Sequence, residues 1–491
     1  MILSPGESHQ SHQPDQAQEG PATSAGHKAE LVDFHTVADL RVERYRFPNG
    51  LEVITWEDHT APVVSYQTWF RVGARHDPPG RSGIAHLFEH LMFKATKTRG
   101  EGDYDRLMEA RGAQTNAATW VDWTYYKAKL PKWELAFAIE LEADRMENLA
   151  LSTDMLERER EVVKNERLMR VDNDPDGLLS EKLYRECFKV HPYGVPTIGW
   201  MEDIERISLD DCNLFYRTHY SPNNATLIVV GDFDTQELLM LVDRHYGHLT
   251  SQPLPEETVV VEPVSTEPQR LEMALPLSTA RLVKAWRAVP SGNRKHAALD
   301  VACELLVGGD SSRLHRRLVE ELELCSDASG WVSSWAQPGI LEISLTLRPG
   351  VEVEVAELAL EAELAAFLAG PIPERELEKA RNGLEADFLR GLADVSSRAR
   401  QLGHHRATVG DFRDFWFESE RLTSVTAEDV LAAATEVLSP ERCVTAIARP
   451  DGTTPADTDS DDDGDDDGVE DDDVEHGALV EHDEDDDEEL N

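Results

Sequence analysis

The chain has 491 residues, with 95 Asp and Glu against 48 Lys and Arg and a formal net charge of −47. That length supports two or three domains with cores of their own. The charge makes nucleic acid an unsuitable partner and cationic peptides suitable ones. Five scattered cysteines (Cys187, Cys212, Cys303, Cys325, Cys443), with no C-x-x-C pair, exclude a disulfide framework and a thiolate metal site.

Residues 1–35 are rich in Gln, His, Ser, Pro and Gly without periodicity and read as structureless. They carry neither a basic n-region nor an apolar h-region. No apolar run reaches the roughly eighteen residues of a membrane span. The expected location is therefore cytoplasm or periplasm, without membrane insertion.

Residues 36–250 read as a first α+β unit. Its expected strands are Arg44–Phe47, Glu52–Thr55 and Val63–Val72. A helix over Ile84–Phe93 follows, then a helix Tyr104–Arg111, a strand Asn116–Lys129, helices Trp133–Asn148 and Asp154–Val171, and a short buried strand Ala225–Val230. Residues 251–268 are rich in Pro and Glu and read as a linker. Residues 269–450 repeat the order of elements, with a strand Arg281–Ala288, a helix Lys295–Val307, a strand Ile340–Leu347, and helices Val353–Leu368 and Glu374–Leu392. This pattern reads as a degenerate duplication.

The tail, 451–491, holds 22 Asp and Glu and no Lys or Arg, and reads as a solvated polyanion. Asp459, Asp461, Asp463, Gly464 and Glu470 fit the D-x-D-x-D-G-x5-E calcium-loop pattern. In so acidic a segment, without flanking helices, that pattern arises easily.

The chemistry concentrates in His86-Leu87-Phe88-Glu89-His90. Residues four apart share a helix face, so His86 and His90 can aim two imidazoles at one point, an arrangement suited to zinc. Glu89 lies near that face but offset from it, where it can reach a water at the metal without ligating. The pattern is H-x-x-E-H. A plain amphipathic helix with histidines at the core edge is the alternative, and a third ligand separates the two. In the Thr153–Val171 helix, Glu159 and Glu166 stand two turns apart on one face. Two such carboxylates do not by themselves point at zinc.

Together these segments resemble the pitrilysin family of zinc peptidases, in particular the short-chain branch that includes the mitochondrial processing peptidase β subunit. That family carries H-x-x-E-H and, 76 residues after the second histidine, a glutamate ligand within E-R-x-V-(V/I)-x-x-E. Here Glu159-Arg160-Glu161-Val162-Val163-Lys164-Asn165-Glu166 stands at that distance from His90. The resemblance covers roughly residues 40–450. It extends to Gly112–Thr119 with Asp122–Tyr126, His191-Pro192-Tyr193-Gly194, Tyr220–Ala225 with Val229–Phe233, Ser311-Ser312-Arg313-Leu314, and Val425–Val430.

The resemblance implies His86, His90 and Glu166 as ligands of one Zn2+ per chain, Glu89 as general base, and Glu159 as a second catalytic glutamate supporting the site. It implies two tandem, related α/β-sandwich units forming one half of a clamshell. A second copy or a related subunit would then complete a dimer. The Asn116–Lys129 segment is dense in strand formers and reads either as a plain core strand or as an edge that pairs with an extended peptide; the resemblance favours the edge. Asn116 and Ala118 are the expected substrate contacts, with His191, Tyr193 and Arg313 as further ones. After Arg313 the sequence departs from the family's E-E-(K/R)-G-L-A-Y, reading Glu320-Glu321-Leu322-Glu323-Leu324-Cys325-Ser326. The second unit's first helix lacks H-x-x-E-H, so zinc is expected in the first unit only. The expected function is zinc-dependent hydrolysis of peptides or unfolded segments. The alternatives are a non-catalytic scaffold subunit and an acidic calcium-binding protein with a vestigial peptidase domain.

Overall fold

A computed structural model describes residues 27–37, 40–257 and 259–453. The acidic tail beyond 453, with its calcium-loop pattern, and most of the 1–35 segment lie outside the described residues.

The first sheet contains β1 (Glu30–Val37), β2 (Leu40–Arg46), β3 (Glu52–Glu57), β4 (Val63–Phe70), β5 (Gln114–Thr119), β6 (Thr124–Pro131) and β7 (Ala225–Gly231), in the order β1-β2-β3-β7-β4-β6-β5. The second contains β8 (Gln269–Leu275), β9 (Arg281–Arg287), β10 (Cys325–Val332), β11 (Ile340–Leu347) and β12 (Val444–Pro450), in the order β10-β11-β9-β12-β8. The duplication is visible in these orders. The run β3-β7-β4-β6-β5 corresponds to β8-β12-β9-β11-β10, and the parallel pairs, β3 with β7 and β8 with β12, fall in the same place. The architecture is thus α+β with two related units, as expected.

In the first half the helices are α1 (Ile84–Leu91), α2 (Asp103–Glu109), α3 (Leu135–Asn148), α4 (Thr153–Arg167), α5 (Pro175–Cys187), α6 (Met201–Arg206), α7 (Leu209–His219) and α8 (Thr235–Tyr246). In the second they are α9 (Arg294–Val307), α10 (Val353–Ala369), α11 (Glu374–Arg390), α12 (Val395–Thr408), α13 (Asp414–Ser424) and α14 (Ala427–Val437).

Side-chain alternation along each central strand divides the core. In β7, Leu227 and Val229 join a cluster with α1, α3 and α8, whereas Ile228 and Val230 face the opposite way. That second face, with Trp56, Trp69 and Tyr125, is covered by Val395, Ala399 and Leu402 of α12 and by Phe412, Phe415 and Trp416. In return, Leu179, Leu183 and Cys187 of α5 pack on Val283, Ala285, Val444 and Ala446 of the second sheet. Each sheet is therefore closed by a helix from the other half. The close approach of α12 to β4 depends on Gly403, where a Cβ would stand 2.1 Å from Trp69 Cε2.

Three expectations are corrected. Residues 30–35, expected to be structureless, lie in β1. Its apolar residues Leu31, Val32 and Phe34 stay exposed, so the strand adds little to a core, and it is held by the backbone ladder to β2, the Arg44–Asp33 ion pair (2.6 Å) and His35 stacked on Trp416 (centroids 4.5 Å). The single strand Asn116–Lys129 is a hairpin, β5 and β6 (register Asn116 to Lys127), turning through Trp120–Trp123. The turn contains neither Gly nor Pro and is itself made of strand formers, Trp120, Val121 and Trp123, so the break leaves little mark in the sequence. The 251–268 segment is anchored as well as connecting. Glu262 is buried, and its carboxylate accepts hydrogen bonds from the backbone N–H groups of Lys189, Val190 and His191 (3.0, 2.8 and 2.6 Å).

Candidate metal centre and active site

Helix α1 is amphipathic at short range. Ile84, Ala85, Leu87, Phe88 and Leu91 are buried in the first core, which turns His86, Glu89 and His90 toward the opposite side. Its start is fixed by Asp77, whose carboxylate accepts from Gly83 N (2.7 Å) and Ala85 N (3.1 Å), two of the donors a helix N-terminus leaves free. Tyr126 of β6 donates to Phe88 O (3.3 Å) from beneath.

Helix α4 is capped by Ser152, which accepts from Met155 N, and buries Leu156, Glu159, Arg160 and Val163. It lies across α1 and delivers Glu166. Immediately afterward the chain passes into a π-turn, Leu168–Asp172, with Asn173 N bonded to Leu168 O.

Glu166 Oε2 stands 3.6 Å from His86 Nε2 and 3.5 Å from His90 Nε2. These separations exceed ordinary hydrogen bonds. They match two donors sharing one zinc ion, which at about 2.1 Å each and a tetrahedral angle stand about 3.4 Å apart. Glu166 Oε2 and His86 Nδ1 are buried without a hydrogen-bond partner, a costly state for polar atoms unless a cation or water completes it. Burial lowers the His86 pKa and favours the neutral, ligating imidazole. Burial also pushes His90 down, but Glu166, Glu89 and Glu159 outweigh it and the net shift is upward. Burial pushes Glu166 up, and His90, His86 and Arg170 outweigh it, holding the carboxyl at about 2. The donor set is therefore two imidazoles and an ionised carboxylate, which suits zinc.

The structure brings His86, His90 and Glu166 together, the three residues the resemblance implies as ligands, with their ligand atoms within 4.8 Å of one another. Glu89 sits partly exposed on α1 between them. Glu159 is placed differently from a group that touches the reacting atoms. It is buried, accepts from Lys94 Nζ (2.7 Å) and lies 3.7 Å from His90 Nδ1, so it orients His90 from behind. Lys94, four residues after His90 and just beyond the end of α1, belongs to no motif that would single it out in the sequence.

Asn116 and Ala118 lie on β5, the outer strand of the first sheet, which among the described residues pairs only with β6 and runs beside α1. Asn116 Oδ1 accepts from Ala117 N (2.8 Å). The other anticipated contacts lie elsewhere. His191 and Tyr193 are buried, with their polar atoms already engaged. His191 Nε2 meets Gln337 Oε1 (2.7 Å), its Nδ1 accepts from Tyr193 N (3.1 Å), and Tyr193 donates to Asp122 (2.8 Å). Asp122 also binds Arg75 (2.5 Å) and Ala336 N (2.8 Å), so this network joins the two halves instead of facing a substrate. Arg313 is held by both oxygens of Glu376 (2.6 and 2.9 Å) over the Phe367 ring. No helix among the described residues is long and apolar enough to cross a membrane.

The duplicated sandwich thus carries two histidines on one helix turn beside a glutamate from a second helix. Residues 52–199 match the family described as "Insulinase (Peptidase family M16)", and residues 206–384 match "Peptidase M16 inactive domain". The chain is 29% identical over 415 residues to the zinc protease PqqE of Helicobacter pylori, covering 83% of this chain and 93% of that protein. It is 30% identical over 405 residues to the uncharacterized zinc protease ML0855 of Mycobacterium leprae, covering 81% and 89%. It resembles the crystal structure of a protease from Helicobacter pylori with a TM-score of 0.79 and 28% identity, covering 83% of this chain and 99% of that one. In fold alone it matches the periplasmic protease PqqL of Escherichia coli (TM-score 0.70, 18% identity), covering 85% of this chain and 48% of PqqL. The chain belongs to peptidase family M16, the insulinase or pitrilysin family.

Proposed function

We propose that this chain is a zinc-dependent endopeptidase acting on peptides or unfolded segments. The observation that carries the reading is the convergence of His86, His90 and ionised Glu166 on a point next to Glu89, with a buried Glu166 oxygen lacking a hydrogen-bond partner. His86, His90 and Glu166 would hold one zinc ion. When bound, zinc polarises the scissile carbonyl and acidifies a water. Glu89 accepts the proton of the attacking water and delivers it to the leaving amine. Glu159, clamped by Lys94, keeps His90 in orientation. The free side of β5 takes an extended peptide by backbone pairing, and Asn116 and Ala118 border it.

The chain's match to about half of PqqL supports reading it as one half of a clamshell, completed by a second copy or a related subunit. The test is Glu89→Gln. Glutamine keeps the shape but cannot accept the proton. Peptide cleavage should fall by at least roughly 10²–10⁴-fold, while bound zinc and melting temperature stay at wild-type values. Cleavage at the wild-type rate would remove Glu89 from the mechanism.

One observation favours a second reading, a non-catalytic scaffold subunit: Arg313 is committed to Glu376 and the sequence after it departs from the family. On that reading the wild-type chain cleaves nothing even when paired with a related subunit.

A further inference from the structure

The second half contains its own cluster of ligating groups. By strand order β9 is the counterpart of β4, and the helix that follows it, α9, is the counterpart of α1. His296 is the third residue of α9 as His86 is the third of α1, and Asp300 follows it by four residues as His90 follows His86. His296 is 3% exposed. Its Nε2 lies 3.1 Å from Ser333 O and donates to it, which aims Nδ1 at Asp300 Oδ2, 2.9 Å away. From α13, Glu418 brings a carboxylate oxygen within 4.8 Å of both ligand atoms.

A second histidine, His405 of α12, is equally buried. Its Nε2 stands 3.2 Å from Glu418 Oε2, and its Nδ1 has no hydrogen-bond partner, the nearest carboxylate oxygen, from Asp414, being 3.6 Å away. Three carboxylates, Asp300, Asp414 and Glu418, converge here. Arg421 answers only Asp414 directly, through two bonds of 2.9 Å. Asp300 and Glu418 are left facing only the two histidines, at partly exposed positions an ion can reach, and either a proton on His296 or a cation balances their charge.

We propose that His296, Asp300 and Glu418, with His405 beside them, form a second binding site for a divalent transition-metal cation, zinc being the one this mixed imidazole and carboxylate set suits best. The Nε2–H bond to Ser333 O is the outer contact that fixes a ligating histidine's tautomer. The donors come from α9, α12 and α13, and α12 is the helix that crosses to the first sheet, where His404 abuts Trp123 (centroids 6.3 Å). The cation's place is structural: it ties the crossing helix to the body of the second half. A proton on His296, paired with Asp300, is the competing way to satisfy the same geometry, and it takes up no metal.

The experiment uses the full chain carrying His86→Ala and His90→Ala, which silences the first site. After chelation and dialysis it is titrated with zinc chloride by calorimetry in two buffers of different ionisation enthalpy, with melting temperature followed in parallel. The expected result is about one equivalent bound, proton release, and a rise in melting temperature. Adding Glu418→Gln should abolish all three while the circular dichroism spectrum is unchanged. Asp300→Asn, at a partly exposed position, serves the same purpose if the glutamine variant does not fold. A chain that takes up no zinc once the first site is silenced, or that keeps its uptake in the folded Glu418→Gln or Asp300→Asn variant, overturns the proposal and leaves a buried ion pair.

Discussion

Substituting Gly403 with alanine tests the helix exchange directly. The new Cβ would stand 2.1, 2.4 and 2.5 Å from Trp69 Cε2, Nε1 and Cζ2, where ordinary contact begins near 3.4 Å. The indole cannot give way easily. It is 2% exposed, its Nε1 donates to Gln67 Oε1 (2.9 Å), and it stacks on Tyr125 at 4.4 Å with an interplanar angle of 9°. Helix α12 must therefore retreat by about 1 Å, loosening Ala399 and Leu402 from the first sheet as well. Overpacking of this kind costs about 1–3 kcal/mol. At roughly 2–4 °C per kcal/mol for a cooperative unit of some 200 residues, the melting temperature should fall by about 3–10 °C. Gly391→Ala, whose Cβ meets nothing nearer than 3.3 Å, is the control and should shift it little. Scanning calorimetry of the two variants beside wild type measures the difference. An alanine at 403 that melts with wild type would refute the close approach of α12 to β4.

His86→Ala, His90→Ala and Glu166→Ala should each lose one zinc equivalent relative to wild type by elemental analysis, since three ligands are the minimum for such a site. Glu342 sits buried on β11 with Oε2 unpartnered, and burial pushes its carboxyl up to about 7. Between about pH 4.5 and 7 the folded chain binds a proton there that the unfolded chain has released, so stability falls as pH rises through that window. Glu342→Gln should therefore stabilise the protein more at pH 8 than at pH 5, as read by denaturant midpoints at the two pH values. Deleting residues 451–491 should leave melting temperature and peptide cleavage close to wild type, because so acidic a segment contributes little apolar surface to a core.

The candidate metal site is partly legible in the sequence because His86, Glu89 and His90 share one helical turn, where spacing along the chain maps directly onto spacing in space. Glu166 lies on a different helix, and only resemblance to a family singled it out from the neighbouring glutamates. The hairpin β5–β6 reads as one strand in the sequence because Trp120–Trp123 turns without glycine or proline. His191 and Tyr193 read as polar candidates, but polarity cannot reveal that Gln337 and Asp122, distant in sequence, already occupy their polar atoms. The second cluster was invisible for the same reason. His296 and Asp300 form no motif until α12 and α13 fold over them.

The reciprocal covering of the two sheets also sets an order of events during synthesis. The first sheet is complete in sequence once β7 has been made at residue 231, yet the face bearing Trp56, Trp69, Tyr125 and Ile228 has no cover until residues 395–416 leave the ribosome. For more than 160 residues of translation that apolar surface stays open to water and to other chains. The first half therefore cannot be released early as a finished unit, and a chain truncated before α12 would present its most aromatic face to whatever is nearest.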